Sequence, residues 1–213
     1  MNYLIVGPTG YIGQTFMQYC MFNDLKHYGL SRDEVDYSEL SLQCTDWFKQ
    51  YISKHGDTTI INCAGYIGKP NVDACEAAKM DTLYGNVALP QYLSQLCIDT
   101  GQQYVQISSG CIYTGSENYT EDDKPNFDFQ NGSFYSGAKA LAEKIVSSNP
   151  NAWQFRLRIP FDNIESPRNY ITKLLTYEKL IDVENSVSHR GDYVRACMSI
   201  IRNQSPYGIY NVV

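Results

Sequence analysis

The chain lacks any pair of cysteines at C-x-x-C spacing, any apolar run near the roughly 20 residues that cross a bilayer, and any stripe of basic residues. Each gap removes a class of function. Its seven cysteines, Cys20, Cys44, Cys63, Cys75, Cys97, Cys111 and Cys197, are scattered. That argues against a zinc site and a disulfide framework and places the protein in a reducing cytoplasm, with no metal expected. Only 17 Lys and Arg stand against 23 Asp and Glu, for a net charge of −6, so neither a nucleic acid nor a membrane surface is an expected partner. The opening Met1-Asn2-Tyr3-Leu4-Ile5-Val6-Gly7 has no basic region and no small-residue cleavage site, and it reads as a first strand rather than a signal peptide. Triplets at Asn118, Asn131 and Asn203 match glycosylation acceptors, but without secretion they carry no function. Internal repeats and low-complexity tracts are missing too.

What remains is an ordinary globular composition, 213 residues with 43% apolar and 19% charged side chains, enough for one core with at most a small appendage. Short apolar runs at residues 3–6, 28–30, 58–62, 103–108 and 154–157 predict strands. Between them, residues 12–21, 42–54, 74–100 with some interruption, and 134–147 carry helical patterns. That alternation predicts β-α-β units and a parallel sheet. Residues 115–132, rich in Asn, Asp, Glu and Gly, read as a surface loop beside the site. Past Pro160 the pattern changes, with a helix expected at 168–177 and short segments thereafter. Residues 1–160 are therefore expected to form a nucleotide-binding domain and 161–213 a small substrate-facing lobe, whose last strand-like residues, 208–213, stop abruptly. His189 reads as a helix start, and Trp47 and Trp153 as packing residues.

Gly7-Pro8-Thr9-Gly10-Tyr11-Ile12-Gly13 falls between the first strand and the first helix, where a glycine-rich turn brings a pyrophosphate to a helix N-terminus. Gly7 and Gly10 make the turn and the close approach, Gly13 lets the helix pack, and Gly7, Thr9, Gly10, Tyr11 and Ile12 are the expected cofactor contacts. The fold predicted is thus an α/β, Rossmann-like doubly wound sheet. At the end of the second strand stand Ser31 and Arg32, not the acidic residue that would bind a ribose 2′-hydroxyl. A hydroxyl and a guanidinium suit a 2′-phosphate, so NADP(H) is the expected cofactor, with NAD(H) as the alternative and a solvated loop arginine as the plain reading. Cys63, Ala64 and Gly65 end the third strand with small residues, suited either to a passing cofactor or to tight helix packing.

Tyr135-Ser136-Gly137-Ala138-Lys139 sets Tyr and Lys four apart, on one helical face. A phenol, ordinarily near pKa ~10, needs a cation beside it to exchange protons near neutrality, and Lys139 is placed to supply one. Ser108-Ser109-Gly110-Cys111-Ile112-Tyr113 follows the fourth strand. In extended backbone Ser109 and Cys111 would point the same way. Ser109 would hydrogen-bond a substrate carbonyl. Cys111 adds nothing to hydride transfer, although a thiolate can take a carbon-bound proton beside a ketone. Spacing alone favours a small buried hydrophobe.

Together GPTGYIG, SSGCIY and YSGAK resemble the extended short-chain dehydrogenase/reductase superfamily, with Ser109, Tyr135 and Lys139 as its catalytic triad. Residues 68–76, 110–112, 132–136 and Ser166-Pro167-Arg168-Asn169-Tyr170-Ile171-Thr172-Lys173 are similar to a narrower group, the nucleotide-rhamnose synthase 3,5-epimerase/4-reductases. The resemblance implies NADPH-dependent reduction of a nucleotide-linked 4-keto-6-deoxy sugar, coupled to 3,5-epimerisation. It also implies that Cys111 and Lys173 are the epimerase acid/base pair, that Asn169 contacts the substrate, that Asn86 lies near the catalytic groups as a substrate contact or as a brace for the helix, and that Pro160 lies by the cofactor. A homodimer is the assembly it suggests. Family members continue for tens of residues past the point matching Val213, which reads as a shortened lobe here. The competing functions are a simple 4-ketoreductase with an inert Cys111 and a non-catalytic NADP-binding regulatory subunit.

Overall fold

A computed structural model describes residues 1–37, 40–115, 117–180 and 182–213. Five strands and the helices between them come first: β1 (Asn2–Val6), α1 (Gly13–Phe22), β2 (His27–Leu30), α2 (Leu42–His55), β3 (Thr58–Asn62), α3 (Lys79–Leu83), α4 (Leu89–Thr100), β4 (Gln103–Ser109), α5 (Phe134–Val146) and β5 (Ala152–Leu157). The later elements are β6 (Pro160–Phe161), α6 (Tyr170–Leu174), β7 (Ser188–His189), α7 (Arg190–Arg202) and β8 (Gly208–Asn211). Six strands form one parallel sheet in the order β2-β1-β3-β4-β5-β8. The doubly wound parallel fold expected from the alternation is the one that forms.

Strand residues alternate between the two faces of a sheet, and here both faces are apolar. Leu4, Val6 and Ile60 join Phe48, Leu93 and Val146 in a core under α2, α4 and α5. Tyr3, Ile5 and Ile61 join Phe16, Cys197 and Met198 under α1 and α7. Only helices on both sides can bury such strands. Local signals stop the helices cleanly: Ser41 accepts a hydrogen bond from Cys44 N to cap α2, and Gly101, at φ 67, ends α4 in the left-handed conformation. Trp153 is fully buried, and Trp47 stacks on Tyr51 at 5.3 Å.

Between β1's neighbours the winding reverses, β2 lying on one side and β3 on the other. Ligands of such sheets sit in the crevice at the carboxyl ends of the strands beside that reversal.

Three expectations need adjustment. The interrupted 74–100 helix resolves into a 3-10 turn at Val72–Glu76, α3, a π-helical turn at Tyr84–Ala88, and α4. The helix expected at 168–177 is only Tyr170–Leu174. The break placed at residue 160 is not a break in the sheet, because α7 packs on its core and β8 pairs with β5. Past residue 160, among the described residues, the β6/β7 pair and α6 stand apart from that sheet and its core. His189 caps α7, accepting from Asp192 N, but α7 itself, which buries Tyr193, Val194, Cys197, Met198 and Ile201, was not anticipated beyond that start. Among the described residues, no helix is long and apolar enough to cross a membrane.

Candidate active site

Gly7 ends β1 at φ 78, and a Cβ there would lie 2.9 Å from Ala64 Cα, so only glycine fits. Gly10 N donates to Gly7 O at 3.2 Å to close the turn. A Cβ on Gly13 would come within 2.1 Å of that same carbonyl, which explains why α1 opens on a glycine. The helix has no side-chain cap; Gln14 N and Thr15 N turn back to Gly10 O and Ile12 O, so an anion here would meet the N–H groups of the turn before them. Thr9 and Gly10 are exposed on this turn, and Tyr11 and Ile12 are half-buried. Ser31 and exposed Arg32 follow β2 on a turn in which Ser31 O accepts from Glu34 N and Val35 N. Across the crevice, Asn62 Oδ1 takes Ala64 N at 3.1 Å, fixing the turn through Cys63, Ala64 and Gly65. Burial pushes the Cys63 thiol up, so it behaves as an apolar wall. Cradle, uncapped helix and exposed cation suit a dinucleotide carrying a 2′-phosphate.

At the end of β4 the chain departs from expectation. Gly110–Ile112 form a 3-10 turn, and Ser109 caps it by accepting from Cys111 N at 3.1 Å. Strand alternation is therefore not what brings Ser109 and Cys111 together; a serine cap on a tight turn does. α5 opens on Ser133, which accepts from Ser136 N, while Glu76 Oε1 accepts from Phe134 N at 2.7 Å. These anchors aim Tyr135 into a cavity of about 340 Å³, which Cys111, Tyr113, Ser136 and Arg158 also line.

Burial raises the Tyr135 phenol well above its ordinary value, the negative charge of Cys111 adds to the rise, and the Ser109 hydroxyl opposes it. Lys139 is only 6% exposed and donates from Nζ to Ile107 O at 3.0 Å. Burial lowers it to about 8, against the pull of Glu143 and Cys111. Lys139 is not among the groups that shift the phenol: its ammonium donates to a strand carbonyl, and desolvation dominates the phenol. In the protein alone the phenol therefore keeps its proton at neutral pH.

The signature of the NAD dependent epimerase/dehydratase family matches residues 3–177. The chain belongs to that family. It is 31% identical, over 99% of its length and 69% of the relative's, to a bifunctional dTDP-4-dehydrorhamnose 3,5-epimerase/dTDP-4-dehydrorhamnose reductase of Arabidopsis thaliana. A trifunctional UDP-glucose 4,6-dehydratase/UDP-4-keto-6-deoxy-D-glucose 3,5-epimerase/UDP-4-keto-L-rhamnose-reductase of the same plant is 33% identical over 88% of the chain, which spans only 28% of that larger protein. Among solved structures, the L780 UDP-rhamnose synthase of Acanthamoeba polyphaga mimivirus shares the fold at a TM-score of 0.82 and 23% identity, covering all of this chain and 75% of that one.

Other expected contacts of this epimerase/dehydratase-family chain are occupied by the protein itself. Asn86, 1% exposed, accepts from Tyr66 N at 3.1 Å and donates to Tyr66 O at 2.6 Å, so it braces the turn after β3 instead of facing a substrate. Asn169 caps α6 through Ile171 N and donates to Asp162 O and Ile164 O at 2.8 and 2.7 Å, which uses both ends of its amide. Lys173, half-buried on α6, is not among the residues lining the cavity beside Cys111. Pro160 sits in β6, paired with Ser188. Tyr11 is tied to the C-terminal half: Arg190 lies 4.3 Å above its ring, donates to its carbonyl at 2.9 Å and pairs with Asp162.

Two groups escaped the sequence reading. Glu143 pairs with Arg156 at 2.7 Å, both buried, and also accepts from Ser108 Oγ. Arg158 places Nη1 3.0 Å from Cys111 Sγ. The available signal was Arg-Leu-Arg at 156–158 within an otherwise buried strand, since a buried cation requires a partner.

Proposed function

We propose that this protein uses NADPH to reduce a nucleotide-linked 4-keto-6-deoxy sugar, after inverting it at C3 and C5. The observation that carries the reading is that Tyr135 and Cys111, a proton donor and a sulfur base, line one cavity at the carboxyl end of β4. The 31% identity to a bifunctional 3,5-epimerase/reductase over almost the whole chain supports it. Gly7, Thr9, Gly10, Tyr11 and Ile12 would hold the pyrophosphate, Ser31 and Arg32 the 2′-phosphate, and Cys63, Ala64, Gly65 and Pro160 the path toward the reacting ring. When bound, NADPH supplies the hydride for C4.

The residues of the chain do the rest. A 4-keto group acidifies the C–H bonds beside it. Cys111 removes such a proton, and the bonding pair moves onto the 4-oxygen. Ser109 and Tyr135 donate to that oxygen, and such pre-aimed donors supply several kcal/mol in a dry site. Tyr135 finally gives its proton to the same oxygen during reduction, and Lys139, whose ammonium has donors beyond the one on Ile107 O, would hold the cofactor ribose. Lys173 stands outside the cavity lining, so the first proton transfer is assigned to Cys111. The segment beyond β5 is the substrate-facing part, and Arg168 links it to the loop before Val72 through Gly68 O at 3.3 Å.

Incubation with UDP-4-keto-6-deoxy-D-glucose and NADPH in deuterated water tests this reading. Tyr135→Phe is expected to lower NADPH oxidation by at least ~10²-fold with NADPH affinity nearly intact. Cys111→Ser is expected to stop deuterium entering C3 and C5. Wild-type turnover in the phenylalanine variant removes Tyr135 from the reaction, and undiminished exchange in the serine variant leaves a plain 4-ketoreductase.

A further inference from the structure

Arg158 is held from three directions. Its backbone N–H donates to Ser188 Oγ at 3.1 Å and its carbonyl accepts from Ser188 N at 2.8 Å. Its Nε donates to Asn185 Oδ1 at 3.1 Å. Its stem crosses Gly110, where an added Cβ would meet Arg158 Cδ at 3.2 Å. The next residue, Ile159, has φ 41, a conformation costly for a β-branched side chain and tolerated only where the surroundings enforce it. The chain therefore accepts strain at the point where it aims this guanidinium over the turn after β4.

The target of that aim is a sulfur. A guanidinium has N–H donors only and keeps its charge at every working pH, so at 3.0 Å Cys111 Sγ must act as the acceptor. Three arginines of this half pair with carboxylates, Arg156 with Glu143, Arg190 with Asp162 and Arg195 with Asp192, and Arg168 donates to Gly68 O. Among the described residues, Arg158 pairs with none, and its side-chain partners, Asn185 and Cys111, are neutral groups when the thiol is protonated. A half-buried cation without an anion is unstable unless one forms beside it.

We propose that Arg158 is the positioning residue for proton transfer at Cys111: it fixes the sulfur toward the cavity and favours the thiolate that attacks the carbon-bound proton. This rests on the reading of Cys111 as the epimerase base. The step balances without any redox partner. The thiolate takes the proton, an S–H bond forms as the C–H bond breaks, and the electron pair passes to the ketone oxygen. A proton from solvent reaches carbon on the opposite face, the electron pair returning from oxygen to form the new C–H bond, and the thiol then gives its proton back to solvent. The other charged or titratable groups facing the sulfur are Tyr135 and Lys139 from α5 and Tyr113 from the cavity wall.

The test follows iodoacetamide labelling of Cys111 against pH, read on its peptide by mass spectrometry, and deuterium entry into UDP-4-keto-6-deoxy-D-glucose on the same proteins. Arg158→Gln is expected to label about tenfold more slowly at neutral pH, its profile moved up by about one pH unit, with deuterium entry slowed in parallel. Arg158→Lys is expected to recover most of both, because the charge is retained. A loss of folding alone would instead expose the thiol and speed labelling. Superimposable labelling profiles for wild type and Arg158→Gln overturn the role of Arg158 and leave the epimerase reading standing. Full deuterium exchange in Cys111→Ala overturns both.

Discussion

Lys139 shows how burial sets the chemistry of a single residue. Its ordinary value of 10.5 falls to about 8 in the fold, so between those pH values the unfolded chain holds a proton that the folded chain has lost. The destabilising effect is fully present below about 8 and is relieved as pH rises toward 10.5. Lys139→Met is therefore expected to abolish NADPH turnover yet raise Tm, by about 2–4 °C for each kcal/mol relieved, and to flatten the rise of Tm with pH across that window. Thermal melts from pH 7 to 11 check this, and a lower Tm in the variant would mean that the bond to Ile107 O outweighs desolvation. Tyr135 and Cys111 stood out in the sequence only through the combination of motifs, because a Tyr and Lys four apart and an isolated cysteine each have a plain structural reading. Asn86 and Asn169 could not be assigned from the sequence because an amide serves equally well as a brace and as a ligand. Only the partners of their amide atoms distinguish the two, and those are backbone groups 20 and 5 to 7 residues away.

At the scale of elements, the turn from β1 into α1 carries the strictest demand. Gly7 needs both a positive φ and the absence of a side chain against Ala64. Gly7→Ala is expected to cost at least ~1–3 kcal/mol and to weaken NADPH binding more than tenfold, because relief of the clash must widen the gap between β1 and β3. Calorimetric titration with NADPH and urea melts measure the two effects, and an alanine variant of wild-type affinity would show that the crevice yields. This turn was readable because three glycines between a strand and a helix have few other uses. The turn at Gly110–Ile112 was not, since a strand pattern gives no notice of where a serine side chain will take over a backbone N–H.

For the molecule as a whole, the Glu143–Arg156 pair joins layers that the chain keeps apart. Glu143 belongs to α5 and Arg156 to β5, and Arg156 also donates to Asn211 Oδ1 on β8 and to Thr120 O in the loop beyond the cavity, each at 3.2 Å. Arg156→Ala strands a buried carboxylate and is expected to cost about 3–5 kcal/mol. Arg156→Met combined with Glu143→Gln is expected to recover much of that loss, and urea denaturation of the single and double variants decides whether the pair or its charge matters. The alternation of strands and helices and the glycine turn are local patterns, and sequence alone determined the parallel fold and the dinucleotide crevice. The C-terminal part was harder to read, because whether β8 joins β5 or stands in a separate lobe depends on an open sheet edge formed by residues some fifty positions earlier. The partner of Cys111 was likewise a tertiary decision. Lys173 and Arg158 both offer a cation to a thiol, and only the course of the backbone past β5 placed the guanidinium, not the ammonium, against the sulfur.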